Sequence, residues 1–285
     1  MEALAVNGDQ PWPAPAKINL FLHITGRRKD GYHKLQTVFQ FLDYADELFF
    51  RVRDDRLIRR VSPLPGVNPE QDLTLRAARR LQAAGAVRFG VDIDLRKRIP
   101  MGAGLGGGSS DAATVLVALN QVWELHWSRE ELTLIAIELG ADVPVFVFGR
   151  AAWAEGVGER LRPVEPEQLW YLLVRPNCHI QTAEIFAAPE LTRNSPPITI
   201  NDFASGFGRN DCEAVVRNRY PEVGEVLDWF SPKGRLTGTG SCVFCPFGSE
   251  HEANARLASL PRRWQGFVAK GTNRSPLLAR LGDSC

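Results

Sequence analysis

Residues 17–24 alternate between apolar and other positions along the whole segment. A two-residue period of this kind predicts a β-strand with one buried face. One face carries Ile18, Leu20, Leu22 and Ile24, and the other carries Lys17, Asn19, Phe21 and His23. A turn rich in glycine and charge follows at 26–31, and strand-like residues then continue to Phe50. The chain is therefore predicted to begin with antiparallel strands.

The remainder of the chain alternates between helical and strand-like patterns. The predicted helices cover 72–84, 111–122, 128–140 and 249–259, and the last two begin with the capping boxes Ser128–Glu131 and Ser249–Glu252. The predicted strands cover 91–95, 170–174, 235–247 and 266–270. Residues 188–210 are rich in Pro, Ser and Asn and are predicted to form a long surface loop.

Strands and helices that interleave without a regular βαβ period favour an α+β fold. A chain of 285 residues is long enough for about two domains. Around 156–166 the periodic pattern gives way to Gly, Pro and charged residues. We therefore predict an N-terminal domain over 1–160 and a C-terminal domain over 161–285.

Composition narrows the range of partners. The chain carries 34 Lys plus Arg residues and 33 Asp plus Glu residues, a balance that argues against a nucleic-acid partner. No apolar run approaches the ~18 residues of a membrane helix, so no membrane partner is predicted. Residues Met1–Pro15 have neither the basic nor the apolar region of a signal peptide.

The cysteines indicate a reduced protein. Five of them, irregularly spaced, are more typical of a cytoplasmic protein than of a disulfide scaffold. Cys242 and Cys245 form a C-x-x-C pair inside an apolar, strand-like run. Positions three apart on a strand point to opposite faces, so a structural role is favoured over a redox or metal-binding role.

The segment Pro100–Asp111 is the most informative motif for function. It holds five glycines between residues 102 and 108, followed by Ser109, Ser110 and a predicted helix. Glycines adopt positive φ and let backbone N–H groups approach a ligand, and the helix N-terminus adds free donors and a positive dipole end. The segment therefore predicts a nucleotide phosphate site, with Lys97 and Arg98 adding positive charge just upstream.

Three known phosphate-binding motifs do not account for this loop. A Walker A motif needs Gly-Lys-Ser/Thr, which is absent. Gly102, Gly104 and Gly107 fit the dinucleotide fingerprint, but that motif expects a second strand where this chain has two helices. The later signatures of protein kinases are also missing. A flexible glycine linker before a helix is the remaining alternative.

Three further positions are ambiguous from the residues alone. Asp142 follows a helix stop and precedes an apolar run, so it is either a base or a helix cap, and spacing alone favours the cap. Lys17 is either partly buried or an edge charge. The turn Gly238–Ser241 is either a close approach to a ligand or a plain hairpin turn. If they converge, the loop, Lys17 and Asp142 supply the parts that phosphoryl transfer needs.

Five segments together resemble the GHMP kinases. They are Pro15–Leu20, Asp30–His33, Pro100–Asp111, Ala141–Pro144 and Leu236–Ser241, in the expected order. The glycine loop and the Leu236–Ser241 turn are typical of the superfamily. The first two segments are more specific and are similar to the branch that acts on a cytidylylated methylerythritol.

The resemblance implies two α+β domains with the active site between them. The first domain would be like ribosomal protein S5 domain 2, and the second would be ferredoxin-like. The implied reaction uses ATP and Mg²⁺ to phosphorylate the 2-hydroxyl of 4-(cytidine 5′-diphospho)-2-C-methyl-D-erythritol, in the non-mevalonate route to isoprenoid precursors. The implied partner is this small cytidine diphosphate substrate, and the oligomeric state, monomer or homodimer, is left open.

The resemblance also assigns residues. Asp142 would activate the acceptor hydroxyl, and Lys17 would pair with Asp142 and neutralise charge on the γ-phosphate. The cofactor-binding residues would be Pro100, Met101, Gly102, Gly104, Gly106, Gly107, Gly108, Ser109, Ser110, Lys97 and Asp72. The substrate-binding residues would be Asn19, Tyr32, His33, Thr182, Phe186 and Gly240, with cytosine stacked on Tyr32 and Phe186 and read by His33.

One position departs from the family pattern, and two other functions compete. The family usually has Asn where this chain has Asp72, and Asp cannot donate to adenine but serves well as a helix cap. No residue is assigned as a metal ligand. A kinase for mevalonate-type or homoserine-type alcohols is the competing enzyme. A nucleotide-binding regulatory module is the competing non-enzyme, but it would need neither Lys17 nor Asp142.

Overall fold

A computed structural model describes residues 10–281 of the chain. Cys285 and most of the segment inspected for a signal peptide therefore lie outside the described residues. The ten strands of the described part are β1 (Trp12–Arg27), β2 (His33–Arg53), β3 (Ile58–Arg60), β4 (Gly90–Arg96), β5 (Ala152–Gly156), β6 (Arg160–Pro163), β7 (Trp170–Arg175), β8 (Arg235–Leu236), β9 (Val243–Phe247) and β10 (Gln265–Thr272). Its ten helices are α1 (Leu73–Ala84), α2 (Gly107–Val122), α3 (Arg129–Leu139), α4 (Val143–Phe148), α5 (Thr182–Ala187), α6 (Ile200–Ala204), α7 (Glu213–Arg219), α8 (Pro221–Trp229), α9 (Glu250–Ala258) and α10 (Pro276–Arg280).

Strand β2 is the centre of the sheet. It pairs antiparallel with β1, β4, β5 and β10 along different parts of its length. Strand β10 also pairs with β7, which leads to β9 and β8. Only β3 and β4 pair in parallel among these strands. The mixed but mainly antiparallel sheet confirms the predicted α+β class and the antiparallel start.

The regular alternation predicted for 17–24 is interrupted by a bulge. Pairing of β1 with β2 shifts register between Asn19 and Leu22. A bulge adds one residue and reverses which face later side chains occupy. Leu22 therefore lines the same cleft as Lys17 and Asn19, although the pattern placed it on the opposite face. The prediction of a single apolar face is wrong beyond Leu20.

Most predicted helices are confirmed, with one informative difference in their boundaries. Asp72 caps α1 by accepting the Thr74 N–H, and Ser128 with Glu131 forms the predicted capping box of α3. At α9, Ser249 accepts the Glu252 N–H, and the return bond of a full box is missing from the described contacts. Helix α2 begins at Gly107 rather than at Asp111, so the end of the glycine segment is already its first turn.

The C-terminal half also differs in detail from the prediction. The surface segment 188–210 contains the short helix α6, whose Thr199 and Asp202 form a capping box that the pattern did not indicate. Cys242 packs with Phe244, whereas Cys245 packs in a different apolar cluster, so the two cysteines do face opposite sides of the strand. The boundary at residue 160 falls at the start of β6 and stays a prediction.

Three apolar clusters hold the described structure together. One lies between β2, β4 and helices α1 to α4, and a second lies between β7, β9 and helices α5, α7 and α8. The third joins them through β1, β7 and the Ile99–Leu105 segment. No helix within residues 10–281 is both long enough and apolar enough to cross a membrane.

Candidate active site

A cleft of about 550 Å³ lies where the glycine-rich segment meets β1 and α5. The predicted site residues that line it are Lys17, Asn19, Asp72, Lys97, Pro100, Met101, Gly102, Gly104, Gly106, Gly107, Gly108, Ser109, Asp142, Thr182 and Phe186. Residues far apart in the sequence thus meet around one space. Its volume is in the range of small-molecule sites.

Three glycines of the loop adopt backbone conformations that other residues resist. Gly102, Gly104 and Gly106 have φ of 66°, 74° and 71°. A Cβ on Gly104 would lie 2.3 Å from the Thr237 carbonyl oxygen, and one on Gly106 would lie 2.8 Å from the Phe146 ring. The loop therefore passes so close to its neighbours that only glycine fits. The linker alternative does not fit these contacts.

The loop ends in the N-terminus of α2, which is open to the cleft. The first helical bond in α2 runs from the Ser110 N–H to the Gly106 carbonyl at 2.8 Å. Gly106 at the cap has no side chain, so the N–H groups of Gly107, Gly108 and Ser109 are left without helical acceptors. The same three residues line the cleft, and such a set of donors suits an anion.

A buried cluster of one lysine and two aspartates lies beside this helix end. Lys97 Nζ forms ion pairs with Asp46 and Asp111, the latter at 2.8 Å. Asp46 also accepts the backbone N–H groups of Arg98 and Ile99. Burial opposes the charge on Lys97, but the two carboxylates outweigh it and raise the pKa of Lys97. An ideal Cβ on Gly107 would lie 3.2 Å from Lys97 Nζ, so the ammonium sits beside the open helix end.

Asp111 is the carboxyl group of this cluster whose pKa is raised. Burial raises the pKa of Asp111 to about 8, and the nearby Asp46 carboxylate adds to the effect against the opposing pull of Lys97. Asp111 Oδ1 is buried without a hydrogen-bond partner among the described residues. Two carboxylates that share one ammonium cannot both be stabilised as anions, so Asp111 binds a proton more tightly than an ordinary carboxyl.

Lys17 lines the cleft beside Gly104 of the loop, and its side chain is almost fully buried. Its ammonium donates to Asn19 Oδ1 at 2.7 Å and to the Gly104 carbonyl at 3.1 Å. Its third partner is Asp142 Oδ2 at 3.3 Å. Asn19 is itself held by a bond from its Nδ2 to the Thr37 hydroxyl. The edge-charge alternative for Lys17 is therefore wrong, because two hydrogen bonds and one ion pair fix the ammonium in the cleft wall.

The helix-cap interpretation of Asp142 is also wrong. Asp142 precedes α4, but its side chain makes no capping hydrogen bond. The carboxylate points to Lys17 and is 38% exposed, which leaves it accessible from the cleft. Asp142 Oδ1 receives no hydrogen bond among residues 10–281, so one carboxylate oxygen is free to accept a proton.

The turn between β8 and β9 combines both sequence-based interpretations. It is a hairpin connection, since β8 and β9 are antiparallel neighbours. It also contacts the site, because the Thr237 hydroxyl accepts the Asn19 N–H at 3.0 Å and Thr239 is bonded to Thr182 at 3.0 Å. Gly238 and Thr239 line the cleft, whereas the predicted substrate contact Gly240 does not.

The predicted base-binding residues are only partly brought together. Phe186 lines the cleft, and the His33 ring stacks on it with centroids 5.1 Å apart. Burial, then the charges of Arg193 and Arg27, lower the pKa of His33. Tyr32 is 64% exposed on the preceding turn and does not line the cleft.

Two predicted cofactor contacts are occupied or buried. Both carboxylate oxygens of Asp72 are in use, because one accepts from Thr74 and the other from Arg60 at 2.9 Å. The helix-cap interpretation of Asp72 is thus confirmed, although the residue also lines the cleft. Ser110 is fully buried outside the cleft lining, and its hydroxyl has no partner among the described residues.

Sequence reasoning missed Asp111, which lines the cleft, and also Asp46 and Arg193, which contact the predicted site residues Lys97 and His33. Asp46 is an acidic residue within the long strand β2 and is completely buried, which is a signal that a charged partner must be nearby. That partner, Lys97, belongs to a later segment of the chain, so no local pattern identifies it. Arg193 falls in the segment that composition marked only as loop.

Comparisons with known proteins agree with this geometry. The family description "GHMP kinases N terminal domain" matches residues 72–150, and "GHMP kinases C terminal" matches residues 190–266. The chain is 58% identical over 278 residues to the 4-diphosphocytidyl-2-C-methyl-D-erythritol kinase of Halorhodospira halophila, covering 96% of each chain. It is 59% identical over 272 residues to that of Alkalilimnicola ehrlichii, covering 95% of this chain and 94% of the relative.

Solved structures show the same relationship. A crystal structure of 4-(cytidine 5′-diphospho)-2C-methyl-D-erythritol kinase aligns with a TM-score of 0.80 at 32% identity, covering 92% of this chain and 99% of that one. The mevalonate kinase of Methanococcus jannaschii aligns with a TM-score of 0.70 at 16% identity, covering 94% of this chain and 100% of that one. The second likeness extends to the fold alone.

Proposed function

The chain belongs to the 4-diphosphocytidyl-2-C-methyl-D-erythritol kinase family of the GHMP kinases, and on this premise we propose how its own residues carry out the reaction. It is an ATP-dependent small-molecule kinase that phosphorylates 4-(cytidine 5′-diphospho)-2-C-methyl-D-erythritol in the non-mevalonate route to isoprenoid precursors. The acceptor in our proposal is the 2-hydroxyl. The observation that carries the mechanism is the Lys17–Asp142 pair beside Gly104 of the glycine loop.

Asp142 acts as the general base in this mechanism. Its free Oδ1 accepts the proton of the substrate hydroxyl as the oxygen attacks the γ-phosphorus, and the bond to the leaving ADP oxygen breaks. Asn19 and the Gly104 carbonyl hold Lys17 in place, so the ammonium faces Asp142 without reorganisation. Lys17 thereby orients the base and offsets negative charge that develops on the transferred group.

ATP binds with its phosphates on the loop Gly102–Ser109. The open N–H groups of α2 and the Lys97 ammonium supply the donors and the positive charge, and Pro100 and Met101 shape the entry to the loop. Because both oxygens of Asp72 are in use, we propose that this residue shapes the adenine side of the cleft as the cap of α1. Ser110 would reach a phosphate only after a local rearrangement of the helix start.

Magnesium accompanies ATP in this proposal. Residues 10–281 contain no cluster of three His, Cys, Asp or Glu side chains suited to a metal ion. The donor set at the loop, with Ser109 as a neutral oxygen, fits an ion held mainly by phosphate and water oxygens, as is usual for Mg²⁺. When bound, the ion would neutralise charge on the phosphate oxygens.

The cytidine end of the substrate lies towards Phe186. We propose that Phe186 and Tyr32 stack on cytosine, that His33 reads its polar edge, and that Asn19, Thr182 and the Gly240 turn contact the rest of the substrate. Stacking holds any base, whereas a hydrogen-bonding pair selects cytosine. The cytoplasmic location and the absence of nucleic-acid and membrane partners stay predictions from composition.

The test is an ADP-release assay with four alcohols: the cytidylyl substrate, its uridylyl analogue, mevalonate and homoserine. We expect release with the cytidylyl substrate at a kcat/KM at least about 10²-fold above that with mevalonate or homoserine. The Asp142→Asn variant serves as the matched background for ATP hydrolysis without transfer. A higher kcat/KM with mevalonate or homoserine would overturn the substrate assignment. A product phosphorylated at a position other than the 2-hydroxyl would overturn the acceptor assignment.

A further inference from the structure

Arg193 connects the predicted base-binding residues. Its Nε–H donates to His33 Nε2 at 3.1 Å. Its remaining guanidinium N–H groups donate to the carbonyl oxygens of Phe186 at 3.0 Å, Ala188 at 2.6 Å and Leu191 at 3.0 Å. One half-buried side chain therefore ties the end of α5 to the start of β2. Nothing in the sequence pattern indicated this connection.

The bond from Arg193 determines where His33 carries its proton. A neutral imidazole has one N–H and one acceptor nitrogen, and an arginine can only donate. Acceptance at Nε2 therefore leaves the N–H at Nδ1. Burial and the two neighbouring arginines lower the pKa of His33, which keeps the ring neutral near pH 7. The Nδ1–H has no acceptor among the described residues, so it is available to a ligand.

Arg193 also fixes the geometry of the stack. The His33 and Phe186 rings lie 5.1 Å apart with an interplanar angle of 25°. Arg193 holds the imidazole of one partner and the main-chain carbonyl of the other. The donor at Nδ1 and the aromatic face of Phe186 are consequently held in a fixed relation, as selective recognition requires.

We propose that Arg193 is a positioning residue for base specificity, which holds His33 as the Nδ1–H tautomer beside Phe186 so that the site accepts cytosine and rejects uracil. The inference rests on the proposed function and extends it to a residue that does not touch the base. Cytosine offers an acceptor at N3, which pairs with the Nδ1–H of His33 in this proposal. Uracil carries a hydrogen at N3, so the same donor meets another donor and loses its bond.

The kinetic test compares two substrates in three proteins. The ratio of kcat/KM for the cytidylyl substrate to that for the uridylyl analogue is measured in the wild type, in Arg193→Met and in Arg219→Met. Arg219 is the matched control. Its guanidinium donates two hydrogen bonds to Glu190, which lies in the same segment 188–210 as Arg193, and it does not contact His33. We expect the ratio to fall by about 10- to 100-fold in Arg193→Met and to stay unchanged in Arg219→Met.

The second measurement reads the tautomer directly. Nitrogen-15 spectra of the imidazole, assigned with a His33→Gln variant, should show the Nδ1–H form in the wild type and a shift towards Nε2–H in Arg193→Met. If Arg193→Met does not fold, the wild-type spectrum alone decides, and an Nε2–H or doubly protonated ring at pH 7.5 would overturn the proposal. An unchanged substrate ratio in a folded Arg193→Met would overturn it as well. Both results differ from failure of the proposed function, in which the wild type does not use the cytidylyl substrate.

Discussion

Asp142 directs its carboxylate to the Lys17 ammonium, 3.3 Å away, and leaves its own helix without a side-chain cap. The backbone explains this choice. Asp142 has φ −89° and ψ −12°, which is already close to helical, whereas a capping residue is typically extended. The side chain is thereby turned away from the first N–H groups of α4 and into the cleft. The local fold thus keeps the Asp142 carboxylate out of the capping role that its sequence position suggested.

Replacing Asp142 by Asn should greatly lower kcat and leave nucleotide binding nearly unchanged. Asn has nearly the same shape, but it cannot accept the proton of the acceptor hydroxyl. We expect kcat to fall by roughly 10²- to 10⁴-fold, the range for loss of a general base, while the Kd for ATP stays within a few-fold. Steady-state kinetics and calorimetric titration with a non-hydrolysable ATP analogue measure the two quantities.

The control for this variant is Asp94→Asn. Asp94 also pairs with a cation, Arg96 at 3.8 Å, but it lies on β4 outside the cleft lining. Its kcat should stay at the wild-type level. Near-normal turnover in Asp142→Asn would remove that carboxylate from the mechanism.

Replacing Gly104 by Ala should disrupt the glycine-rich loop. The new Cβ would lie 2.3 Å from the Thr237 carbonyl oxygen, and the φ of 74° is unfavourable for alanine. Because Gly104 also supplies a carbonyl acceptor to Lys17, any shift of the loop displaces the ammonium. We expect destabilisation of about 2 kcal/mol or more together with a lower kcat/KM for ATP, measured by urea unfolding and kinetics.

Gly108→Ala provides the comparison for stability. Its added Cβ would meet only Leu73 Cδ1 at 3.8 Å, an ordinary contact, and the residue lies in the first turn of α2. The free energy of unfolding should change by less than about 1 kcal/mol. Equal loss of stability in the two variants would show that the strain at Gly104 is not specific to its position.

The features that sequence predicted well are those set by local chemistry. Three glycines of the segment adopt positive φ, and the segment ends at a helix, so its local conformation follows from its residues. The cap at Asp72 likewise depends on a donor only two residues away, Thr74. The pairing of Lys97 with Asp46 and of Arg193 with His33 joins distant segments, and only the fold determines which charged residues meet.

Boundaries and faces were harder to predict for a related reason. The bulge between Asn19 and Leu22 is set by pairing with β2, and the alternating sequence contains no sign of it. The early start of α2 depends on Gly106 turning the chain, after which two further glycines take helical geometry despite their low intrinsic preference for it. The spacing of Asp142 favours a helix cap, and only the resemblance and the geometry argue against that interpretation.

Replacing Tyr32 by Ala should weaken binding of the cytidine substrate without affecting the fold. Tyr32 is 64% exposed, and its ring stacks on no other ring among the described residues, so its loss changes stability by less than about 0.5 kcal/mol. We expect substrate binding to weaken by about 1–3 kcal/mol if the ring stacks on cytosine. Calorimetry measures the Kd, and an unchanged value would exclude stacking by Tyr32.

The matched control is Phe207→Ala. Phe207 is an aromatic residue with the same exposed fraction, and it does not line the cleft. Its replacement should leave the substrate Kd unchanged. Equal weakening by both variants would point to a general surface effect rather than to stacking.

The Asp111 cluster predicts that stability falls as pH rises. The native pKa of Asp111 is about 8, well above its ordinary value, so between about pH 4 and pH 8 the folded protein holds a proton that the unfolded chain releases. The free energy of unfolding therefore decreases with rising pH across this window. Asp111→Asn removes the titrating group and keeps an oxygen that can accept from Lys97. The free energy of unfolding of the variant minus that of the wild type should therefore increase from pH 5.5 to pH 8, by on the order of 1 kcal/mol or more.

Asp92 gives the opposite sign and so serves as the comparison. Burial opposes its charge, but bonds from Arg51, Arg59 and Arg53 outweigh burial and lower the pKa of Asp92. Its contribution is complete above the ordinary carboxyl pKa and is lost only in acid. Asp92→Asn should therefore be destabilised by a constant amount between pH 5.5 and pH 8, whereas the difference for Asp111→Asn changes across the same range. Urea unfolding at both pH values measures each difference, and a pH-independent difference for Asp111→Asn would mean that Asp111 is ionised throughout and that Lys97 alone satisfies both carboxylates.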